Sequence, residues 1–176
     1  MVQENTPAAG ASSVRYLDTL LLYFEEEIMG EAYFNGLAAA FSTAEHKEKL
    51  HLLAEVERHA AEAVRPLLEK YDLTPRTDEE LSMLEAETIK SHGAWSWREL
   101  IRDMVERYPL YMDDFEGLEK MAPSSDLAPL KFLTAHETAA IEFAKLEHAG
   151  VADSAEPLRR YLAAHPPTPL RASHEV

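Results

Sequence analysis

Cysteine is absent from the 176-residue chain. With it go disulfide frameworks, zinc fingers, thiolate iron–sulfur ligation and cysteine nucleophiles. Any metal must therefore be held by oxygen and nitrogen, from carboxylates and histidines. Basic residues are scarce, 17 Lys and Arg against 32 Asp and Glu, for a formal net charge of −15. Such a chain repels phosphate backbones and anionic membrane surfaces, so neither nucleic acid nor membrane is an expected partner. No apolar run approaches the ~18 residues of a membrane span, and the opening MVQENTPAAGASS has no basic start or apolar stretch. A cytoplasmic location is expected. No Gly-rich loop follows a strand and no Gly-x-Ser-x-Gly elbow is present, which removes the commonest phosphate-cradling and serine-nucleophile motifs. What remains is a length and an apolar content of 46% that suit one domain with a packed core.

No alternating β-branched run with hairpin turns occurs, and Gly and Pro punctuate long helical patterns, so the chain reads as all-α. A first helix, capped by Ser12 or Ser13, is expected to reach about Phe41, with Leu17, Leu20, Phe24, Phe34 and Ala38 on one face. Ser42 or Thr43 caps a second helix to about Tyr71, which Pro66 can kink or end early. From Asp72 to about Trp95 the pattern weakens into a long crossover with one short helix capped by Thr77 or Asp78. Ser96 caps a third helix to about Met121, bent at Pro109, with Leu100, Met104, Tyr108, Tyr111, Phe115 and Leu118 inward. Asp126 caps a fourth, which Gly150 stops. A small helix at about Ala155 to Ala164 follows. The expected organisation is a disordered 1–12, a four-helix bundle with a long crossover and short C-terminal helix over 13–165, and a flexible tail at 166–176.

The informative residues are polar ones on faces that should be buried. Glu27 and Glu31 stand four apart between Phe24 and Phe34, so both carboxylates project along the core side of the first helix. An inward pair of carboxylates needs a cation, a proton or water; placed at the edge of the face, the same pair is simply solvated. Glu57 borders the apolar stripe of the second helix and His59 lies on it. On the fourth helix Glu137 and His136 repeat the arrangement, each a turn from Leu133. The alternative for His59 and His136 is that of core histidines satisfied by backbone or by Tyr108 and Tyr111. His46, His51 and His148 lie among charges on faces expected to be solvated. Trp95 and Trp97, just before the third helix, are expected to cover the bundle end or to form a dimer contact.

These residues resemble the ferritin-like superfamily, the carboxylate-bridged di-iron bundles that include rubrerythrin and the aldehyde-deformylating oxygenases. The resemblance covers about residues 14–150 and looks like an uncharacterised branch. Glu27, Gly30, Phe34, Leu37 and Ala38 fit the first-helix pattern of a ligand Glu, a small residue, an aromatic and an apolar–Ala pair. Aligned through Leu53 and Ala54 the second-helix ligand falls on Glu57, and through Phe143 the fourth-helix ligand falls on Glu137. The family's Glu-x-x-His partners fall on Ala60 and Ala140, so both motif histidines are missing and only His59 and His136 stand nearby. The third helix departs as well, because Glu99, Asp103, Glu106 and Asp113 sit off its apolar stripe and a tyrosine takes the position of the family's carboxylate.

Two readings follow. In one, Glu27, Glu57 and Glu137, helped by Glu31, His59 or His136, hold iron or manganese for oxygen or peroxide activation, an oxidoreductase chemistry. Tyr108 or Tyr111 then donates a hydrogen bond to the ligands or acts as a redox neighbour in catalysis. The partner is a metal ion or small molecule, with a homodimer open. In the other, the bundle is a metal-free binding or structural module with a degenerate site. The third helix discriminates: an inward carboxylate such as Glu106 supplies the missing ligand, whereas Tyr108 at the centre argues against a two-metal site.

Overall fold

The structure is a computed structural model and describes residues 8–167. Among the described residues every element is helical and no strand occurs. The helices are α1 (Ala8–Ala40), α2 (Ala44–Lys70), α3 (Asp78–Leu84), α4 (Ala86–His92), α5 (Trp97–Arg107), α6 (Met112–Met121), α7 (Leu127–His148) and α8 (Glu156–Ala163). Single 3-10 turns occupy Tyr108–Leu110 and Ser124–Asp126. The expected tail at 166–176 lies mostly outside the described residues, as do residues 1–7.

The packing forms a closed circuit: α1 lies along α2, α2 on α7, α7 on α5 and α6, and α6 returns to α1. The short helices α3 and α4 cross the outside of α1, and α8 packs on α7 and α2. The apolar faces read from the sequence meet inside this circuit. Leu20, Phe24, Ile28, Phe34 and Leu37 of α1 face Leu53, Val56, Ala60, Val64 and Leu67 of α2, and Leu133, Ala140, Phe143 and Ala144 of α7 complete the core. None of the described helices is long and apolar enough to cross a membrane.

Several boundaries differ from expectation for local reasons. Helix α1 begins at Ala8, before the serines expected to cap it, because the alanine-rich opening continues the helix. Pro66 neither ends nor breaks α2, which runs on to Lys70. Pro109 does more than bend the third segment: it divides it into α5 and α6 around the 3-10 turn, since proline has no N–H and its ring clashes with the preceding turn. The segment between α2 and α5 holds two short helices, α3 and α4, where one was expected. Thr77 and Ser96 do cap, each within a reciprocal capping box completed by Glu80 and Glu99. Helices α2 and α7 both end by passing through a left-handed residue, Asp72 (φ 54°) and Gly150 (φ 71°). The amide of the following residue then reaches back to the last turn, Leu73 to Leu68 and Val151 to Leu146.

Asp126 precedes α7 but its side chain does not cap it. The carboxylate is fully buried instead, and accepts from the hydroxyls of Tyr16 (2.9 Å), Tyr71 (2.6 Å) and Ser125 (2.8 Å) and from the Lys70 ammonium. It thereby joins α1, α2 and α7 at one end of the molecule. Burial pushes its pKa up, but these four donors outweigh burial and hold it below the usual carboxyl value. We expect Asp126→Ala to lower the free energy of urea unfolding by about 3 kcal/mol, because it strands buried hydroxyls and a lysine. A depressed pKa also sets the sign with pH. The stabilisation is present above the unfolded value of about 3.9 and is lost as pH falls through the lower folded one, a loss the variant should not show.

Candidate metal centre

Midway along the core, away from the Asp126 end, the inward faces of three helices carry acid. Glu27 follows Phe24 by one turn on α1, Glu57 lies between Leu53 and Ala60 on α2, and His136 and Glu137 follow Leu133 on α7. All four are buried, at 3%, 7%, 2% and 5% exposure. The periodicity that buries the apolar neighbours buries these side chains with them.

The imidazole of His136 is the hub. Its Nε2 lies 3.0 Å from Glu27 Oε2, 3.5 Å from Glu57 Oε2 and 3.7 Å from Glu137 Oε2. Its Nδ1 bonds the carbonyl of Leu133 one turn back, and a carbonyl only accepts, so Nδ1 carries the proton. Nε2 then turns a lone pair, or a second proton, toward three carboxylates. Phe115 meets the ring edge-on at 5.3 Å between centroids, and Tyr161 of α8 lies at 6.5 Å. Gly30 leaves room for the Glu57 carboxyl, since a Cβ there would come within 3.0 Å of it.

Among the described residues no Lys or Arg forms an ion pair or hydrogen bond with this cluster. Glu27 Oε2 and Glu137 Oε1 are buried without a hydrogen-bond partner, Glu27 despite its 3.0 Å approach to the imidazole. Burial pushes the carboxyl of Glu27 up to about 8 against the opposing effect of a hydrogen bond with the Glu57 carboxyl, and the charge of Glu137 adds to the rise. Glu57 is driven well above the ordinary range, first by burial and then by the charge of Glu27, and Glu137 rises to about 7 by burial against the opposing effect of His136.

The donor set suits a divalent ion. Ligand atoms of Glu27, Glu57 and His136 lie within 4.8 Å of one another. An ion about 2.1 Å from each nitrogen and oxygen sets neighbouring donors roughly 3.0 to 3.4 Å apart in octahedral or tetrahedral arrangement. The 3.0 and 3.5 Å separations at Nε2 are close to those edges. Carboxylate oxygen with one imidazole is the donor chemistry of iron, manganese or zinc, and Nδ1 anchored to a backbone carbonyl is how such an imidazole is held in orientation.

The structure does not bring two of the candidate ligands into this cluster. Glu31 turns to the outside of α1 and pairs with Arg58, whose Nε is 2.7 Å away and which also binds Asp78. His59 lies beside the C-terminal segment, its Nε2 3.0 Å from the carbonyl of Ala164, against Phe132 and Tyr161. The third segment contributes no carboxylate to the cluster: Glu106 and Asp113 are exposed, Glu99 completes the cap, and Asp103 faces Arg107 at 3.9 Å. Tyr108 stands there instead. Its hydroxyl is pushed well above the usual phenol value by burial and then by the charges of Tyr33, Glu57 and Glu137. Tyr111, 39% exposed, lies further out.

Of the other histidines, His51 and His148 are exposed, but His46 is stacked on Trp97 at 4.2 Å. Trp97 also packs on Phe41 and donates to Glu147, so it closes the end of the molecule opposite Asp126, while Trp95 stacks on His92. A cavity of about 580 Å³ adjoins the cluster, lined by Glu27, Glu57, His136 and Glu137 within and by Tyr108, Tyr111 and other aromatic and acidic side chains further out. Phe115 reads from the sequence only as an inward apolar position of its helix, and no local pattern points to Tyr161 as a neighbour of His136. Set beside protein-family models, curated proteins and solved structures, the chain matches none of them.

Raised carboxyl values carry a pH signature for the metal-free protein. A group whose folded pKa exceeds its unfolded one favours the folded state most below the unfolded value, about 4.3 for Glu, and that advantage disappears as pH rises through the folded value. With Glu27 near 8 and Glu137 near 7, chelator-treated protein should lose stability as pH rises from about 4.3 to about 8. Glu27→Gln should flatten that slope. Urea midpoints across this range test it, and a wild-type profile without the decline contradicts the burial of ionisable carboxyls in the core.

Proposed function

We propose that this chain is a ferritin-like four-helix bundle, with α1, α2, the divided α5–α6 segment and α7 as its four helices and residues 72–95 as its crossover. Its core would hold one divalent ion, iron or manganese, and serve an oxygen- or peroxide-activating oxidoreductase. The observation that carries this reading is the convergence of Glu27, Glu57 and Glu137 on His136 Nε2 with two buried carboxylate oxygens left unpartnered. An uncompensated buried carboxylate is among the least favourable groups a core can contain, so a cation is the simplest occupant. Glu27, Glu57 and His136 would be the ligands, with Glu137 a fourth.

One ion fits better than two. A two-ion site in this class draws a carboxylate from each of four helices and a Glu-x-x-His histidine from two of them. Here the third segment offers Tyr108, and His136 is the single imidazole at the cluster. When bound, such an ion would supply one-electron redox chemistry and a Lewis acid. The protein's own part is to orient His136 through Leu133, to exclude water with Phe115 and the surrounding apolar side chains, and to keep the Tyr108 hydroxyl protonated beside Glu57 and Glu137. The cavity gives a small molecule room next to the ligands.

A specific observation favours the metal-free alternative: both motif histidines are replaced, by Ala60 and Ala140, and the carboxyls are already tuned to hold protons near neutral pH. The two readings differ in sign. If an ion is bound, protein purified without chelator carries about one equivalent of iron or manganese by elemental analysis. Saturation at a hundredfold excess over Kd then adds about 2.7 kcal/mol of stability. Glu137→Gln and His136→Ala should each weaken binding at least tenfold, about 1.4 kcal/mol, and reduce that gain. If no ion is bound, a chelator leaves the melting curve unchanged and Glu137→Gln stabilises the fold by removing a repelling carboxylate. A chelator-insensitive wild type with a stabilised Glu137→Gln ends the metal reading.

A further inference from the structure

We propose that the cavity beside the cluster binds a small primary amine with an aromatic or alkyl body, its ammonium held between Glu26 and Asp114 at the mouth. This names a substrate class for the site proposed above, and it rests on that reading only for what happens to the amine once bound.

At about 580 Å³ the cavity has the size of an ordinary small-molecule site. Its walls are aromatic, with Tyr23 and Tyr33 from α1, Tyr108 from the 3-10 turn and Phe115 from α6. Tyr23 and Phe115 lie against each other at 5.1 Å between centroids and bridge α1 to α6. Glu26 follows Tyr23 by one helical turn, and Asp114 directly precedes Phe115, so the two exposed carboxylates flank this ring pair from opposite helices. Both press on the Tyr23 hydroxyl by their charge, and Asp114 presses on Glu26.

Two like charges thus line the same opening, near enough for Asp114 to raise Glu26 beside the effect of burial. Arg107 is the one Lys or Arg side chain in the lining, and it is turned to Asp103 at 3.9 Å and to Tyr111. Glu85 adds further negative charge to the lining. At the inner end, Glu27 Oε2 and Glu137 Oε1 are buried without hydrogen-bond partners and line the same cavity. An ion at His136 would neutralise the inner carboxylates and leave the outer pair as it is. Carboxylates outnumber the one guanidinium in the lining, so an anion is disfavoured, and a neutral molecule gains nothing from Glu26 and Asp114. An ammonium gains from both carboxylates and from the faces of the tyrosines, while its apolar body covers Phe115 and Tyr108.

Calorimetric titration of chelator-treated protein tests this with three probes of one shape: phenethylamine, neutral 2-phenylethanol and anionic 3-phenylpropionate. The amine should bind at least about tenfold tighter than the alcohol, and the acid should not bind measurably. Raising the salt concentration should narrow the preference. The double variant Glu26→Gln/Asp114→Asn changes exposed side chains only, so its fold, checked by circular dichroism, should be kept while amine and alcohol become equivalent. A single Tyr23→Leu should weaken the amine without restoring the acid. Equal binding of the three probes, no binding of the amine, or a preference that survives the double variant overturns the proposal. Because no ion is needed for these titrations, they succeed or fail independently of the metal content, which elemental analysis decides.

Discussion

Three carboxylates meeting one imidazole inside an apolar core is the constraint around which the molecule is arranged. Charge in such a place is tolerated only when matched, by a proton or by a cation brought from outside. The residues nearby are selected for space and for exclusion of water. Gly30 admits the Glu57 carboxyl, Phe115 closes one side of His136, and the small side chains of Ala60 and Ala140 line the same stretch of α2 and α7. The Leu133 carbonyl holds the imidazole in the one orientation that turns Nε2 toward all three glutamates.

The treatment of acid elsewhere in the core sharpens the contrast. At one end Asp126 is matched by Lys70, Tyr16 and Tyr71; at the other, Glu147 is matched by Lys49 at 2.8 Å, by the Trp97 indole at 2.8 Å and by Ser154. Both carboxyls are held below their usual values in spite of burial. These two networks fix α2 against α7 at their extremities, with α1 joined at the Asp126 end and α5 at the other. The chain has basic side chains and places them where buried acid is structural. Between the two ends Arg76 holds buried Glu25 in the same way, but at the cluster itself no Lys or Arg of the described residues makes contact, and the carboxyls there are raised.

The acidic balance of the whole chain has a local expression in the cavity. Its walls are aromatic, carboxylates line it from the mouth to the inner end, and Arg107 is the one Lys or Arg among the described residues that line it. The excess of acid over base in the whole chain, 17 basic against 32 acidic residues, is thus repeated at the scale of this cavity.

Helical periodicity placed Glu27, Glu57, His136 and Glu137 inward, because burial along a helix follows from spacing alone and the apolar neighbours at three and four residues report it. The cap at Ser96, a cap at Thr77 or Asp78 and the stop at Gly150 were equally legible, since each is satisfied by residues a few positions away. Spacing could not separate Glu27 from Glu31, or His136 from His59. Each pair lies on the rim of an apolar stripe, and which member turns inward depends on whether a partner such as Arg58 or the Ala164 carbonyl waits outside. Nor could it show Pro109 dividing a helix, Tyr108 standing where a carboxylate was sought, or Phe115 and Tyr161 closing on His136. The sequence by itself determined which faces of which helices are buried; only the tertiary structure decided which buried polar atoms meet, because that depends on contacts between residues as much as 110 positions apart, on which local spacing is silent.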